Sequence, residues 1–298
     1  MSQMTEVEGR RLALSNLDKV LYPDGFTKGE VLHYYATVAG AFLPHLRDRP
    51  LSFLRYPDGS EGEHFFAKNL PLGTPDWVRT AVVPRSGAGE TGRHVLVQDL
   101  PTLIWAANLV TEFHTPQWLA DAPGMADRLV FDLDPGAPAT IVECCTVARW
   151  LRDRLAADGL EVFAKSSGAK GLHILAALEP VPSEQVTAYA KALAVEAEHE
   201  LRPLAIHRMA RKLRSGKVFV DWSQNTAAKT TAAPYTLRAR PTPTVSAPVT
   251  WEEVEACAAP EDLVFEAGAI VPRLEDHGDL LAPLTEPGHA RPLPGADA

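Results

Sequence analysis

Asp132 and Asp134 stand one residue apart at the end of an apolar run and just before Pro135-Gly136. If residues 129–134 form a strand, alternation puts both acids on one face and Leu129, Phe131 and Leu133 on the other. Paired carboxylates suit hard cations such as Mg²⁺ or Mn²⁺, which take oxygen ligands and bridge to substrate phosphates. A strand running into an Asp-Pro-Gly turn with two solvated acids has the same pattern, so the pair alone assigns no chemistry. A second segment, Ser166-Ser167-Gly168-Ala169-Lys170-Gly171-Leu172-His173, lies between strands predicted over 161–165 and 172–176. Glycines let backbone N–H groups approach an anion, and Ser167, Lys170 and His173 add a hydroxyl, a point charge and an imidazole. The segment reads as a triphosphate cradle, with a plain Gly-rich hairpin turn as the alternative. It is not a Walker A loop, because the spacing differs and a strand follows. A third run, 217–222, alternates so that Asp221 takes the polar face and Val218, Val220 and Trp222 the other. A third carboxylate would complete a two-metal site. Lys229, Arg238 and Arg240 follow, the last two on one side of an extended segment beginning at Tyr235.

Asp132-Leu133-Asp134, Ser167-Gly168-Ala169-Lys170-Gly171-Leu172-His173 and Val220-Asp221-Trp222-Ser223-Gln224-Asn225 resemble the three motifs of the archaeo-eukaryotic primase superfamily. The match is closest to the polymerase domain of bacterial ligase D, the non-homologous end-joining primase-polymerases. Segments 16–23 and 234–241 are also similar to that family, and the resemblance runs from Leu14 to Val271. It implies an α+β fold, a two-module primase-polymerase core with mixed or antiparallel sheets flanked by helices. It implies a template-directed nucleotidyltransferase, a polymerase and primase-like enzyme, that adds NTPs or dNTPs, ribonucleotides preferred, to 3′ ends at DNA breaks or gaps. Two divalent ions, Mn²⁺ or Mg²⁺, would be held by Asp132, Asp134 and Asp221. Ser167, Lys170, His173, His114, Arg238 and Arg240 would bind nucleotide. Lys19 and Lys28 would hold a downstream 5′-phosphate, Phe65 and Phe66 would stack on template bases, and Arg214 would touch primer or template. The implied partners are DNA with breaks, gaps or 3′ overhangs, with Ku and a DNA ligase beside it. Two other functions fit the residues: a metal-dependent phosphodiesterase, and a non-catalytic DNA-end-binding module that recruits a ligase.

The elements that must position these residues can be placed from helix starts. Thr27 with Glu30 and Thr140 with Glu143 each read as a capping box ahead of an apolar stripe. Val31, Tyr34, Tyr35, Val38 and Phe42 share one face, as do Val147, Trp150, Leu151 and Leu155. Ser183 is expected to cap a third helix stopped by Pro203, and Thr250 with Glu253 a fourth. From 129 to 222 the order is strand, helix, strand, strand, helix, strand, the split βαβ pattern. Its first and last strands are antiparallel, so a bulge, a short last strand or a second sheet must bring Asp221 to the acid pair. A single domain is expected over 1–285, with DNA-end contacts in its N-terminal part and the catalytic motifs in 128–240; residues 241–249 read as an extended connector and 286–298 as a flexible tail.

At 298 residues and 46% hydrophobic, the chain can bury a full core. No run approaches 18 apolar residues and the N-terminus has no signal-peptide core, so a soluble, cytoplasmic protein without membrane contact is expected; the resemblance implies a bacterial, nucleoid-associated one. Cys144, Cys145 and Cys257 have no metal-ligand spacing and read as reduced packing residues. The net charge of −9 is uneven. Residues 201–240 hold nine Lys or Arg against Asp221 alone, whereas 251–298 hold eleven acids and two arginines. A basic strip of this kind could face DNA despite the acidic total.

Overall fold

The computed structural model describes residues 2–84 and 90–295. The chain divides into two compact units. The first comprises Met1–Pro116, Ala232–Ser246 and Phe265–Gly278; the second comprises Gln117–Thr231, Ala247–Val264 and Asp279–Ala298.

The first unit opens with a hairpin of β1 (Ser2–Val7) and β2 (Arg10–Ser15), followed by α1 (Lys28–Leu46). Thr27 and Glu30 form the expected capping box, and Val31, Tyr34, Tyr35, Val38 and Phe42 are all buried. Next come β3 (Ser52–Arg55), β4 (Phe65–Ala67), the hairpin β5 (Thr80–Pro84) and β6 (Thr91–Val95), α2 (Leu100–Ala107) and β7 (Thr111–Thr115). Strands β4, β3 and β7 lie side by side, antiparallel. Their core is aromatic: Phe113 meets Tyr35, Phe42 and Phe53 edge-on with ring centroids 5.2, 5.4 and 5.7 Å away.

The second unit carries β8 (Met125–Pro135), α3 (Ile141–Ala157), β9 (Phe163–Ser166), β10 (Leu172–Pro182), α4 (Ser183–Glu200), β11 (Ala205–Ile206) and β12 (Val218–Asp221). Within its six-stranded sheet the run β12-β8-β10-β9 has the order and antiparallel sense that the split pattern requires. Strand β11 extends one edge. After the short β13 (Thr231–Ala232), β14 (Pro248–Val249) extends the other by pairing with β9, followed by α5 (Trp251–Ala256). The last helix, α6 (Ala267–His277), belongs to the first unit.

Three details depart from the sequence reading. Ser183 is the first helical residue of α4 rather than its cap, and its hydroxyl donates to Gly124 O. Helices α2 and α6 and the two hairpins were not anticipated. The segment expected to fray from Glu286 instead packs on β10: Glu179 N donates to Arg291 O at 2.9 Å, and Leu293 is buried. Its last residues, 296–298, lie outside the described ones. No helix among the described residues is long and apolar enough to cross a membrane.

Candidate active site

The acid pair sits near the C-terminal end of β8, and its neighbours are fixed by strand register. Asp132 lies opposite His173 on β10 and opposite Asp221 on β12. Residues directly opposite in antiparallel strands project from the same face, so these three form one row, with Asp134 two residues further along that face. Leu129, Phe131 and Leu133 are fully buried on the other face. The topological difficulty is resolved by brevity: β12 stops at Asp221, level with Asp132, and turns into a 3-10 helix over Trp222–Asn225. Asn225 locks that turn to β8. Its side chain accepts from Val130 N at 2.9 Å and donates to Val130 O at 2.8 Å.

Each carboxylate has a cationic or polar collar. His173 Nε2 is 3.4 Å from Asp132; Lys170 Nζ and Arg214 Nη1 are 3.4 and 3.7 Å from Asp134. Arg214 also covers the Phe219 ring at 3.6 Å. Asp221 is held most closely: Ser223 donates to Oδ1 through its backbone N–H at 3.0 Å and its hydroxyl at 2.5 Å, and Gln224 Nε2 donates to Oδ2 at 2.9 Å. Lys229 donates to the Ser223 hydroxyl and comes within 4.0 Å of Asp221. Ser223 and Gln224 stand in the third motif without a role of their own in the sequence reading; their place just after the third acid is the signal that could have given them one.

An all-oxygen carboxylate set on one sheet face fits a hard divalent cation. Among the described residues, no three His, Cys, Asp or Glu side chains converge closely enough to hold an ion as they stand. The glycine-rich segment is built differently from a bare amide cradle. Gly168 N donates to Ser166 Oγ at 3.1 Å, and Ala169 N and Gly171 N donate to Ser167 Oγ at 3.2 and 3.1 Å. Those amides are engaged by serine hydroxyls, so Ser167 braces the loop while Lys170 supplies the charge. Gly171 is there for close approach: a Cβ at that position would lie 2.0 Å from Leu133 O.

The remaining candidates lie in the first unit. His114 and Arg238 both bind the buried Glu112, at 3.1 and 2.9 Å. Arg240 is exposed. Phe65 and Phe66 on β4 are exposed, 48% and 54%, with the Arg55 guanidinium over Phe65 and the His114 ring edge-on to Phe66. Lys19 Nζ donates to Pro57 O at 2.7 Å and meets Asp58 at 3.0 Å. Lys28 is buried with its ammonium 3.2 Å from Ser15 Oγ. Burial, then the charges of Lys19 and Arg55, push its pKa down to about 8.

Residues 27–281 match the profile of the LigD primase-polymerase domain. The chain belongs to the LigD primase-polymerase domain family. Membership places it among the nucleotidyltransferases and implies dependence on divalent metal. It is 41% identical over 280 residues to the multifunctional non-homologous end joining protein LigD of Mycolicibacterium smegmatis, covering 92% of this chain and 36% of that protein. The bifunctional LigD of Bacillus subtilis is 29% identical, covering 90% of this chain and 43% of that protein. The chain thus spans well under half the length of these curated relatives. The polymerase domain of Mycobacterium tuberculosis ligase D, solved in complex with DNA, superposes with a TM-score of 0.87 at 42% identity, covering 92% of this chain and 98% of that one. The mixed α+β architecture is therefore that of the LigD polymerase domain.

Proposed function

We propose that this chain is a template-directed, primase-like polymerase that extends 3′ ends at DNA breaks and gaps during non-homologous end joining, adding NTPs in preference to dNTPs. The observation that carries the reading is the row Asp221, Asp132 and His173 with Asp134 on the same face, all set by register. Asp132, Asp134 and Asp221 would hold two divalent ions, Mn²⁺ or Mg²⁺. When bound, such ions supply Lewis acidity and charge neutralisation for phosphoryl transfer. Ser223 and Gln224 orient the Asp221 carboxylate, and Lys170 and Arg214 place positive charge beside Asp134 where triphosphate oxygens would compete for it. Nucleotide-binding roles are proposed for Ser167, Lys170 and His173 in the second unit and for His114, Arg238 and Arg240 in the first.

For DNA, Lys19 and Lys28 would hold a downstream 5′-phosphate, the exposed Phe65 and Phe66 would stack on template bases, and Arg214 would contact primer or template. Ku and a DNA ligase are the partners that end joining requires, and the working location is the nucleoid in the cytoplasm. The test is primer extension on gapped DNA with and without a 5′-phosphate, comparing ribo- and deoxynucleotides and Mn²⁺ with Mg²⁺. Metal-dependent incorporation with pyrophosphate release is expected. End binding without incorporation would overturn the polymerase reading and leave the phosphodiesterase and the non-catalytic module.

A further inference from the structure

We infer that Glu112 is a positioning residue for nucleotide binding: its carboxylate fixes His114 and Arg238 as one set, and through His114 it ties that set to Phe66. The inference rests on the nucleotide-binding reading of His114 and Arg238 given above. Glu112 and His114 alternate on β7 and share a face. The carboxylate is buried, 3% exposed, and both oxygens are used. Oε2 accepts from His114 Nε2 at 3.1 Å and Arg238 Nε at 2.9 Å; Oε1 accepts from Ala239 N at 2.8 Å and from the Tyr56 hydroxyl at 3.2 Å. Burial alone would raise its pKa, but the His114 hydrogen bond and the Arg238 charge outweigh it and push the pKa down to about 2. Glu112 is therefore an anion throughout the working range.

A buried anion is a poor choice for packing alone, since apolar residues of similar volume fill a core without the desolvation cost. What the carboxylate adds is direction. With Nε2 engaged by Glu112, the His114 ring is held in one orientation. Arg238 is aligned by Nε, with the Ala239 amide fixing the backbone beside it. The Phe66 ring meets His114 edge-on with centroids 5.4 Å apart, so the imidazole that Glu112 orients has an aromatic neighbour on β4.

The experiment measures NTP affinity by titration calorimetry, and binding of a 5′-phosphorylated DNA end by fluorescence anisotropy, for the full chain and its variants. Glu112→Gln keeps the shape and removes the charge. It is expected to weaken NTP binding about tenfold or more while leaving DNA-end binding within about twofold, a split that loss of structure would not give. His114→Ala and Arg238→Ala should each weaken NTP binding in the native background but add less than about twofold in the Glu112→Gln background. Full-sized additional losses, or a Glu112→Gln affinity within about twofold of the native protein, would overturn the inference. If neither His114→Ala nor Arg238→Ala changes NTP affinity, the nucleotide reading of those residues falls and the inference with it. Should Glu112→Gln not fold, the pair His114→Ala and Arg238→Ala decides: their losses are non-additive if one carboxylate positions both, and strict additivity refutes it.

Discussion

At the scale of the residue, three carboxylates are useful only if they are correctly aimed, and their collars aim them. Asp132→Ala or Asp134→Ala should abolish nucleotide incorporation while DNA binding persists, because the transition-state charge loses its counter-charge. Near-native primer extension by either variant would sink the site assignment. Ser223→Ala makes a finer test: its hydroxyl orients Asp221 and receives Lys229. Loss of such a partner typically costs 10- to 100-fold in metal affinity or activity, so the Mn²⁺ titration of extension should move by about that factor. An unchanged titration would make Ser223 a turn residue only. The acids themselves were legible because strand alternation is local: a spacing of two, read against Leu129, Phe131 and Leu133, already put Asp132 and Asp134 together. Glu112 was not legible in that way. Its partner Arg238 lies 126 positions away, and nothing in a Glu-Phe-His triplet says which oxygen meets which cation.

Elements were legible where their signals are short. The capping boxes at Thr27, Thr140 and Thr250 span four residues each and are all present, and the strand and helix order from β8 to β12 matches the sheet order. Helix α2 was hidden because Asp99 caps it without a Glu or Gln at the third position, and α6 because it has no side-chain cap and contains Pro272. Strand β1 leaves most residues exposed, which erases the alternation that a half-buried strand writes into sequence, and β11, β13 and β14 are only two residues long. The glycine-rich loop was located correctly, but its physics differs from a bare cradle. Gly171 is required by the closeness of β10 to β8, so Gly171→Ala forces the pair apart just where His173 faces Asp132. The expected cost is about 3 kcal/mol or more in denaturant melts, with extension lost. Gly73→Ala is the comparison, since only its positive φ resists a side chain; it should cost about 1 kcal/mol and leave extension intact. Equal costs for the two would show that the close approach is not what Gly171 serves.

Across the whole molecule, a net charge of −9 coexists with cations concentrated where phosphate is proposed to bind, and Lys28 shows what that concentration costs. It is buried, its ammonium contacts Ser15 Oγ, and Lys19 and Arg55 add repulsion to the desolvation that lowers its pKa to about 8. The unfolded chain would hold that proton up to about pH 10.4. Between the two values the unfolded state binds more protons, so this residue's contribution to stability rises with pH there and is fully unfavourable below pH 8. Lys28→Met keeps the stem and removes the charge. It should raise the melting temperature at pH 7, with a smaller gain or none at pH 10. The same change should reduce the preference for gapped DNA with a 5′-phosphate over its 5′-hydroxyl form. A charge-assisted contact is worth about 1.5–3 kcal/mol, so roughly ten- to a hundredfold of preference is at stake at low salt. In the native protein that preference should fade as pH rises past 8, because the cation that recognises the phosphate is being lost, whereas Lys19→Ala should lower it at every pH. Anisotropy titrations at pH 7 and pH 9 decide the matter. A preference that survives Lys28→Met unchanged, or a melting temperature that falls at pH 7, would mean that this buried lysine is held by the fold for its own packing and not for a DNA end.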